Sequence, residues 1–303
     1  MSIYYFNITY RCNSRCMFCA ADIPINSSCH EMQIEDFRNE LDKENVGEND
    51  RVIVNGGEPT LHKDFFLFLD EIYKRGAKID LYSNGMRFQD ENFSKQVLHY
   101  ENIHVRIPLF GANADFHDAL TGCNGSFAAV TTGLDHLCKH IQRPATLEIK
   151  MLLSRATITQ NEKIYELICS RWKNSQVNIS LNPLLISETV ITKKELFIET
   201  YSKMMESSCE LLEKAYGRSP QLSLGLIPFC VYPNEDLFLK YNHTLRERKK
   251  TYYYSDPIRK GNKANRFDLD GCNACIYKGT CPEFPMSYLQ YFGIDEIKPI
   301  SGE

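Results

Sequence analysis

The chain has 303 residues, 43% of them apolar and 24% charged, with a formal net charge of −4. That length supports one sizeable core plus an appendage, and the composition is ordinary for a globular protein. The charge calls for neither nucleic acid nor an anionic membrane, no apolar run approaches the roughly 20 residues that span a bilayer, and no signal peptide opens the sequence.

In chain order, the first predicted element is an apolar strand over residues 3–8. Directly after it, Cys12, Cys16 and Cys19 form C-x3-C-x2-C. Three thiols this close in sequence can converge on one point of a tight loop. Thiolates are soft ligands, so the pattern points to an iron–sulfur or zinc centre rather than to structural thiols. A closed zinc site needs four ligands, and Cys29 or His30 would supply the fourth. A cubane on three thiolates keeps one iron open for a small molecule. Twelve cysteines would also suit a disulfide framework. The missing signal and the metal-type spacing argue instead for reduced thiols and a cytoplasmic setting.

Apolar spacings of three and four predict helices over 33–43 and 64–75, with Gly76 as a stop. Between them a strand over 51–55 runs into Gly56-Gly57-Glu58-Pro59, where two glycines allow the backbone a close approach to a ligand. The plain alternative is a turn. A strand over 78–82 runs into Ser83-Asn84-Gly85, candidate ligand contacts or an Asn-Gly turn. A strand over 103–109 leads into a stretch that holds His117, Asp118 and Cys123. His117 and Asp118 read as a helix-packing pair rather than catalysts. Helices over 126–140 and 161–173 flank a strand over 146–152, where Lys150 and then Arg155 are candidate ligand contacts. A strand over 177–182 and one long helix over 194–216, ended by Gly217, complete the pattern. Six such units predict an α/β fold, a partial (β/α)6 TIM-like barrel, with its chemistry at the C-terminal ends of the strands.

After residue 217 the periodicity weakens, and residues 218–303 are expected to form a small second domain. Residues 246–266 are basic, with Tyr252, Tyr253 and Tyr254 among them. That combination suits nucleic acid or an acidic peptide, and a solvated loop is the blander reading. Cys272, Cys275 and Cys281 form C-x2-C-x5-C, with Cys230 as the nearest cysteine outside the group. Four thiolates complete a closed cubane, and a four-cysteine zinc site is the alternative.

Taken together, these motifs resemble those of the radical S-adenosylmethionine (SAM) enzymes. The carriers are C-x3-C-x2-C with Phe18 before its last cysteine, Gly-Gly-Glu-Pro after the second strand, and Tyr82-Ser83-Asn84-Gly85 at the third. The resemblance covers roughly residues 1–185 and continues more weakly to the C-terminus. It implies a partial barrel over 1–217 and a 4Fe-4S cluster on Cys12, Cys16 and Cys19 whose open iron chelates SAM. One low-potential electron then cleaves SAM to a 5′-deoxyadenosyl radical that abstracts hydrogen from a substrate. SAM contacts would come from Gly56, Gly57, Glu58, Pro59, Ser83, Asn84, Lys150 and Arg155. Cys123 is the candidate hydrogen-atom donor, against an inert thiol. Cys230, Cys272, Cys275 and Cys281 resemble the ligands of a twitch domain, the shortened form of the SPASM domain, and imply a second 4Fe-4S cluster.

The His117-Asp118…Thr121-Gly122 stretch resembles peptide-maturing members of the family. Pro108 and Phe110 stand where many of those relatives carry Ser and Asp, so their polar contacts do not transfer. The resemblance therefore implies a ribosomally made peptide as substrate and a flavodoxin- or ferredoxin-type electron donor. Many maturases begin with a winged-helix-like domain that grips a leader, and a barrel strand at residue 3 leaves none expected before it. That keeps a radical SAM dehydrogenase or epimerase of a small molecule or sugar as the alternative. A non-catalytic zinc-binding module is the alternative from another class.

Overall fold

The computed structural model describes residues 2–19, 31–172, 176–241, 251–254, 272–278, 280–282 and 284–301. Six strands form where the apolar pattern places them: β1 Ile3–Thr9, β2 Arg51–Gly56, β3 Lys78–Tyr82, β4 Ile103–Pro108, β5 Thr146–Leu153 and β6 Val177–Pro183. Two more, β7 Leu222–Leu224 and β8 Thr251–Tyr254, extend the sheet at either end. All eight lie in one parallel sheet in the order β7-β6-β5-β4-β3-β2-β1-β8.

Parallel neighbours need crossover connections. These run through α1 Ile34–Lys43, α2 Phe65–Lys74, α3 Glu91–Leu98, α4 Ala114–Thr121, α5 Ser126–His140 and α6 Asn161–Trp172. Val52, Val54, Ile79, Leu81, Val105, Ile107, Leu147 and Ile149 are all fully buried in the core these helices cover. Phe37 on α1 is also fully buried, with ring centroids 4.6 Å from Phe6 of β1 and 4.9 Å from Phe68 of α2, both edge-on. Burying such a ring contributes about 2–3 kcal/mol. This packing fixes β1, and so the start of the cysteine loop that follows it.

The long helix expected over 194–216 is broken. Beyond β6 the chain forms α7 Glu188–Ile191, α8 Lys194–Phe197 and α9 Tyr201–Ala215. The break lets Phe197 bury its ring against Phe18 in the cysteine loop, at a centroid distance of 5.6 Å. It also opens a new helix N-terminus. The Glu296 carboxylate accepts there from the N–H groups of Tyr201 (3.3 Å) and Ser202 (2.9 Å), satisfying donors that a helix start leaves unpaired.

Helices α10 Glu235–Tyr241 and α11 Met286–Phe292 complete the described elements. Leu222, Leu224, Leu237, Tyr241, Phe284 and Tyr288, all after residue 217, pack in the same core as the barrel strands. The tyrosine run read as part of a basic loop is instead an edge strand, β8, paired with β1. Threonine and tyrosine favour strands, and that preference decides the segment. Residues 246–250 and 255–266 of the basic stretch lie outside the described residues, as do Cys29 and His30. Among the described residues no helix is long and apolar enough to cross a membrane.

Candidate active site

A cavity of about 340 Å³ opens at the C-terminal ends of the strands, the end where parallel α/β barrels place their chemistry. Its wall takes Asn55 from β2, Tyr82 from β3, Arg106 from β4, Lys150 from β5 and Asn182 from β6. One cavity shared by five strands requires the sheet to curve around it, as a partial barrel does. The volume suits a small-molecule or cofactor site. Cys12, Cys16 and Cys19 line it, together with Gly57, Ser83, Asn84 and Lys150.

The cysteine loop is held on three sides. From α4, the carbonyls of Thr121 and Leu120 accept the N–H groups of Arg15 (2.8 Å) and Met17 (2.9 Å). From the end of β3, Asn84 Nδ2 donates to Asn13 Oδ1 at 2.6 Å. From the segment that carries α7 and α8, Ser187 Oγ donates to the Cys19 carbonyl and Lys193 Nζ to the Met17 carbonyl, both at 3.3 Å. Phe18 plugs the loop into an apolar pocket between Phe110 and Phe197. Its neighbours Cys16 and Cys19 stay half-buried and Cys12 is exposed. Burial, with the nearby Cys12 and Cys19 adding to it, pushes the Cys16 thiol up to about 12. Burial also raises Cys12. The thiols are thus close enough to feel one another's charge, as ligands of one centre must be.

Gly56 and Gly57 make their close approach to the chain itself. A Cβ on Gly57 would lie 2.3 Å from the Arg11 carbonyl oxygen, and one on Gly56 would lie 2.1 Å from that of Thr9. The segment is bonded there, Gly57 N–H to Thr9 O (2.8 Å) and Glu58 N–H to Arg11 O (2.7 Å). Glu58 is 1% exposed and off the cavity wall. Its Oε1 accepts from Thr60 N–H (3.1 Å), Thr60 Oγ1 (2.6 Å) and Ser83 Oγ (2.9 Å), and its Oε2 from Asn84 N–H (2.6 Å). Burial pushes its pKa up, and these donors pull against that. The carboxylate therefore ties the end of β2 to the end of β3, and through Asn84 to the cysteine loop. Pro59 is buried at the start of a 3-10 turn, Pro59–Leu61.

Beneath the cavity a ladder of paired charges crosses the strands. Arg51 meets Asp80 (2.8 Å), Asp80 meets Arg106 (2.7 Å) and Arg106 meets Glu148 (2.6 Å). Burial would raise Glu148, but His104, Arg106 and Ser180 outweigh it and hold the carboxyl down at about 2. Lys150 sits above the ladder with its Nζ 4.8 Å from the Tyr82 ring centroid. It lines the cavity, and burial pushes its pKa down. Arg155 is not on the wall: its guanidinium donates to Glu199 (3.2 Å) and the Glu195 carbonyl (3.1 Å). Cys123 is not on the wall either, and its Sγ lies 4.0 Å from the Met86 Sδ. Asn55, Tyr82, Arg106, His117 and Asn182 line the cavity although the motifs did not single them out as ligands. Four of these five lie on strands, three of them near the strand's C-terminal end, and that placement was the available signal.

A second, smaller cavity of about 30 Å³ is lined by Cys230, Cys272, Cys275 and Cys281, beside Phe229, Phe284, Lys278 and Lys298. Space of that size holds about a water or two, so a cluster would need the cysteines to move outward. Burial raises the Cys230 thiol, with Cys281 and Cys272 adding to the rise. The donor set suits a closed cubane. Among the described residues no three Cys, His, Asp or Glu side chains meet at the point one metal ion would occupy. No disulfide joins any described cysteine.

Comparison with known proteins places this geometry. The family described as the radical SAM superfamily matches residues 6–168, more than half of the chain. The mycofactocin maturase MftC of Mycolicibacterium smegmatis is 30% identical over 134 residues, which is 44% of this chain and 33% of that protein. The subtilosin biosynthesis protein AlbA of Bacillus subtilis is 27% identical over 137 residues, 45% of this chain and 30% of that one. The chain thus spans about a third of the length of these curated relatives. An S-adenosylmethionine-dependent nucleotide dehydratase of Selenomonas ruminantium is 24% identical over 195 residues, 60% of this chain and 70% of that one. In fold, Streptococcus suis SuiB bound to S-adenosylmethionine superposes with a TM-score of 0.68 at 12% identity, over 99% of this chain and 76% of that one. The family match runs from within β1 to within α6, including the cysteine loop, the segment from Gly56 to Pro59 and Lys150. The chain therefore belongs to the radical SAM superfamily and is an enzyme of it, with S-adenosylmethionine and a 4Fe-4S cluster as its cofactors.

Proposed function

We propose that the chain modifies a ribosomally made peptide by radical chemistry begun at Cys12, Cys16 and Cys19. The observation that carries the site is that these three thiols share one cavity with Gly57, Ser83, Asn84 and Lys150. Cys12, Cys16 and Cys19 would hold a 4Fe-4S cluster, which when bound would supply the electron for SAM cleavage and so the means of hydrogen abstraction. The residues around it bind and orient. Gly57 and Glu58 brace the cysteine loop, Ser83 and Asn84 line the cavity beside it, and Lys150 offers a cation to a carboxylate. The apolar side of the wall, with Phe18, Phe110, Met151 and Leu184, keeps water from the reacting carbon.

Cys230, Cys272, Cys275 and Cys281 are the proposed ligands of a second, closed 4Fe-4S cluster, in a twitch-like unit over 218–303 whose β7 and β8 join the barrel sheet. A closed cluster has no iron to give a substrate, so electron acceptance or structure is its role. A flavodoxin- or ferredoxin-type protein is the proposed donor, and the cytoplasm the proposed compartment.

The peptide reading is supported by the maturases among the relatives. The dehydratase keeps a small-molecule substrate as the second reading. Deuterium transfer separates the two. A deuterated ribosomal precursor peptide, incubated with reconstituted enzyme, SAM and dithionite, should pass deuterium into 5′-deoxyadenosine. Transfer from a deuterated sugar or nucleotide and none from the peptide would replace the peptide reading.

A further inference from the structure

His117 has one ring nitrogen with no partner. The residue is 1% exposed, stands on α4 and lines the cavity. Its Nδ1 lies 3.1 Å from Ser126 Oγ. The neighbouring groups fix where the imidazole proton sits. Ser126 donates its only proton to Asp118 Oδ1 at 2.8 Å, because a carboxylate can only accept. Ser126 therefore meets the ring with a lone pair, and the proton is on Nδ1. Thr121 Oγ1, 2.7 Å from Ser126 Oγ and 3.2 Å from the Asp118 carbonyl, gives its one proton to one of them, and neither choice turns the Ser126 proton toward the ring. Nε2 is left as a buried lone pair without a hydrogen-bond partner. The rings of Phe110 and Phe127, each 5.7 Å from the imidazole centroid, offer it no donor. A buried acceptor left unpaired costs free energy, and a ligand that brings a donor recovers it.

The position says which ligand arrives. Leu120 and Thr121, one helical turn beyond His117, are the residues of α4 bonded to the cysteine loop. His117 therefore stands at the cysteine end of the cavity, where a molecule chelated to a cluster on that loop would lie. We propose that His117 Nε2 accepts a hydrogen bond from an O–H or N–H group of SAM, a ribose hydroxyl or the adenine amino group. This rests on the radical SAM reading of the cavity.

The test is calorimetric titration of SAM into the anaerobically reconstituted, unreduced enzyme, with iron content measured alongside. His117→Leu should bind SAM about five- to tenfold more weakly at unchanged iron content, the loss of one net hydrogen bond. His117→Gln, which keeps an acceptor, should lose less. Ser126→Ala, which leaves the ring in place but releases its tautomer, should also weaken binding. SAM affinity equal to wild type in His117→Leu, even with a lower melting temperature, means a packing role and overturns the proposal. If the leucine variant does not fold, wild-type SAM affinity in Ser126→Ala overturns it. A wild-type enzyme that does not bind SAM would refute the reading of the cavity, not this assignment alone.

Discussion

Burial turns His117 from a titrating group into a fixed acceptor. Burial pushes its pKa down to about 4, with Asp118 pulling the other way. The ordinary value is about 6.5, so the folded state resists a proton that the unfolded chain accepts. Stability is then lost as the pH falls from about 6.5 to about 4, by roughly 3 kcal/mol over the window. His117→Gln has no such group. Urea midpoints at about pH 7 and about pH 4.5 should drop less in that variant than in wild type, and equal drops would contradict the assignment. At the same scale, the place of Cys12, Cys16, Cys19, Gly57, Ser83, Asn84 and Lys150 on one cavity wall was legible because spacing and strand ends placed them. Arg155 and Cys123 were not, because their directions depend on Glu199 and Met86, far away in sequence. The role of His117 was hidden for a similar reason. Its unused nitrogen shows only once Ser126, nine residues on, is folded back against it.

The segment from Gly56 to Pro59 acts as an element by bracing the cysteine loop. A methyl group at Gly57 would sit 2.3 Å from the Arg11 carbonyl oxygen, one residue before Cys12. Overpacking of this kind costs about 1–3 kcal/mol. Gly57→Ala should therefore lower the melting temperature and reduce iron bound at Cys12, Cys16 and Cys19 together. A variant with wild-type stability and iron would show that the segment does not brace the loop. The six barrel strands were legible because each is short, apolar at successive or alternate positions, and followed by a helical pattern. The break between α8 and α9 was not, because the apolar spacing continues across it. What ends α8 is Phe18, and what starts α9 is Glu296, both brought in by the fold. β7 has only three residues, too few for a period to show.

At the scale of the whole molecule, Cys230 packs against the main core, and the first cysteine loop against a smaller apolar cluster around Phe18 and Phe197. Cys230 Sγ lies 3.8 Å from the carbonyl of Glu296, whose side chain caps α9, and Phe197 just before α9 packs on Phe18 in the first cysteine loop. The two sites are thus joined through a short run of packed side chains rather than tethered by a linker. Each can still be emptied alone. The most direct test replaces Cys12, Cys16 and Cys19 by Ala, reconstitutes the protein anaerobically, and measures 5′-deoxyadenosine formed from SAM under dithionite. The variant should retain about four irons, on Cys230, Cys272, Cys275 and Cys281. It should form no 5′-deoxyadenosine, while wild type forms it readily. A variant that still forms 5′-deoxyadenosine at the wild-type rate would contradict the assignment of SAM cleavage to these three cysteines.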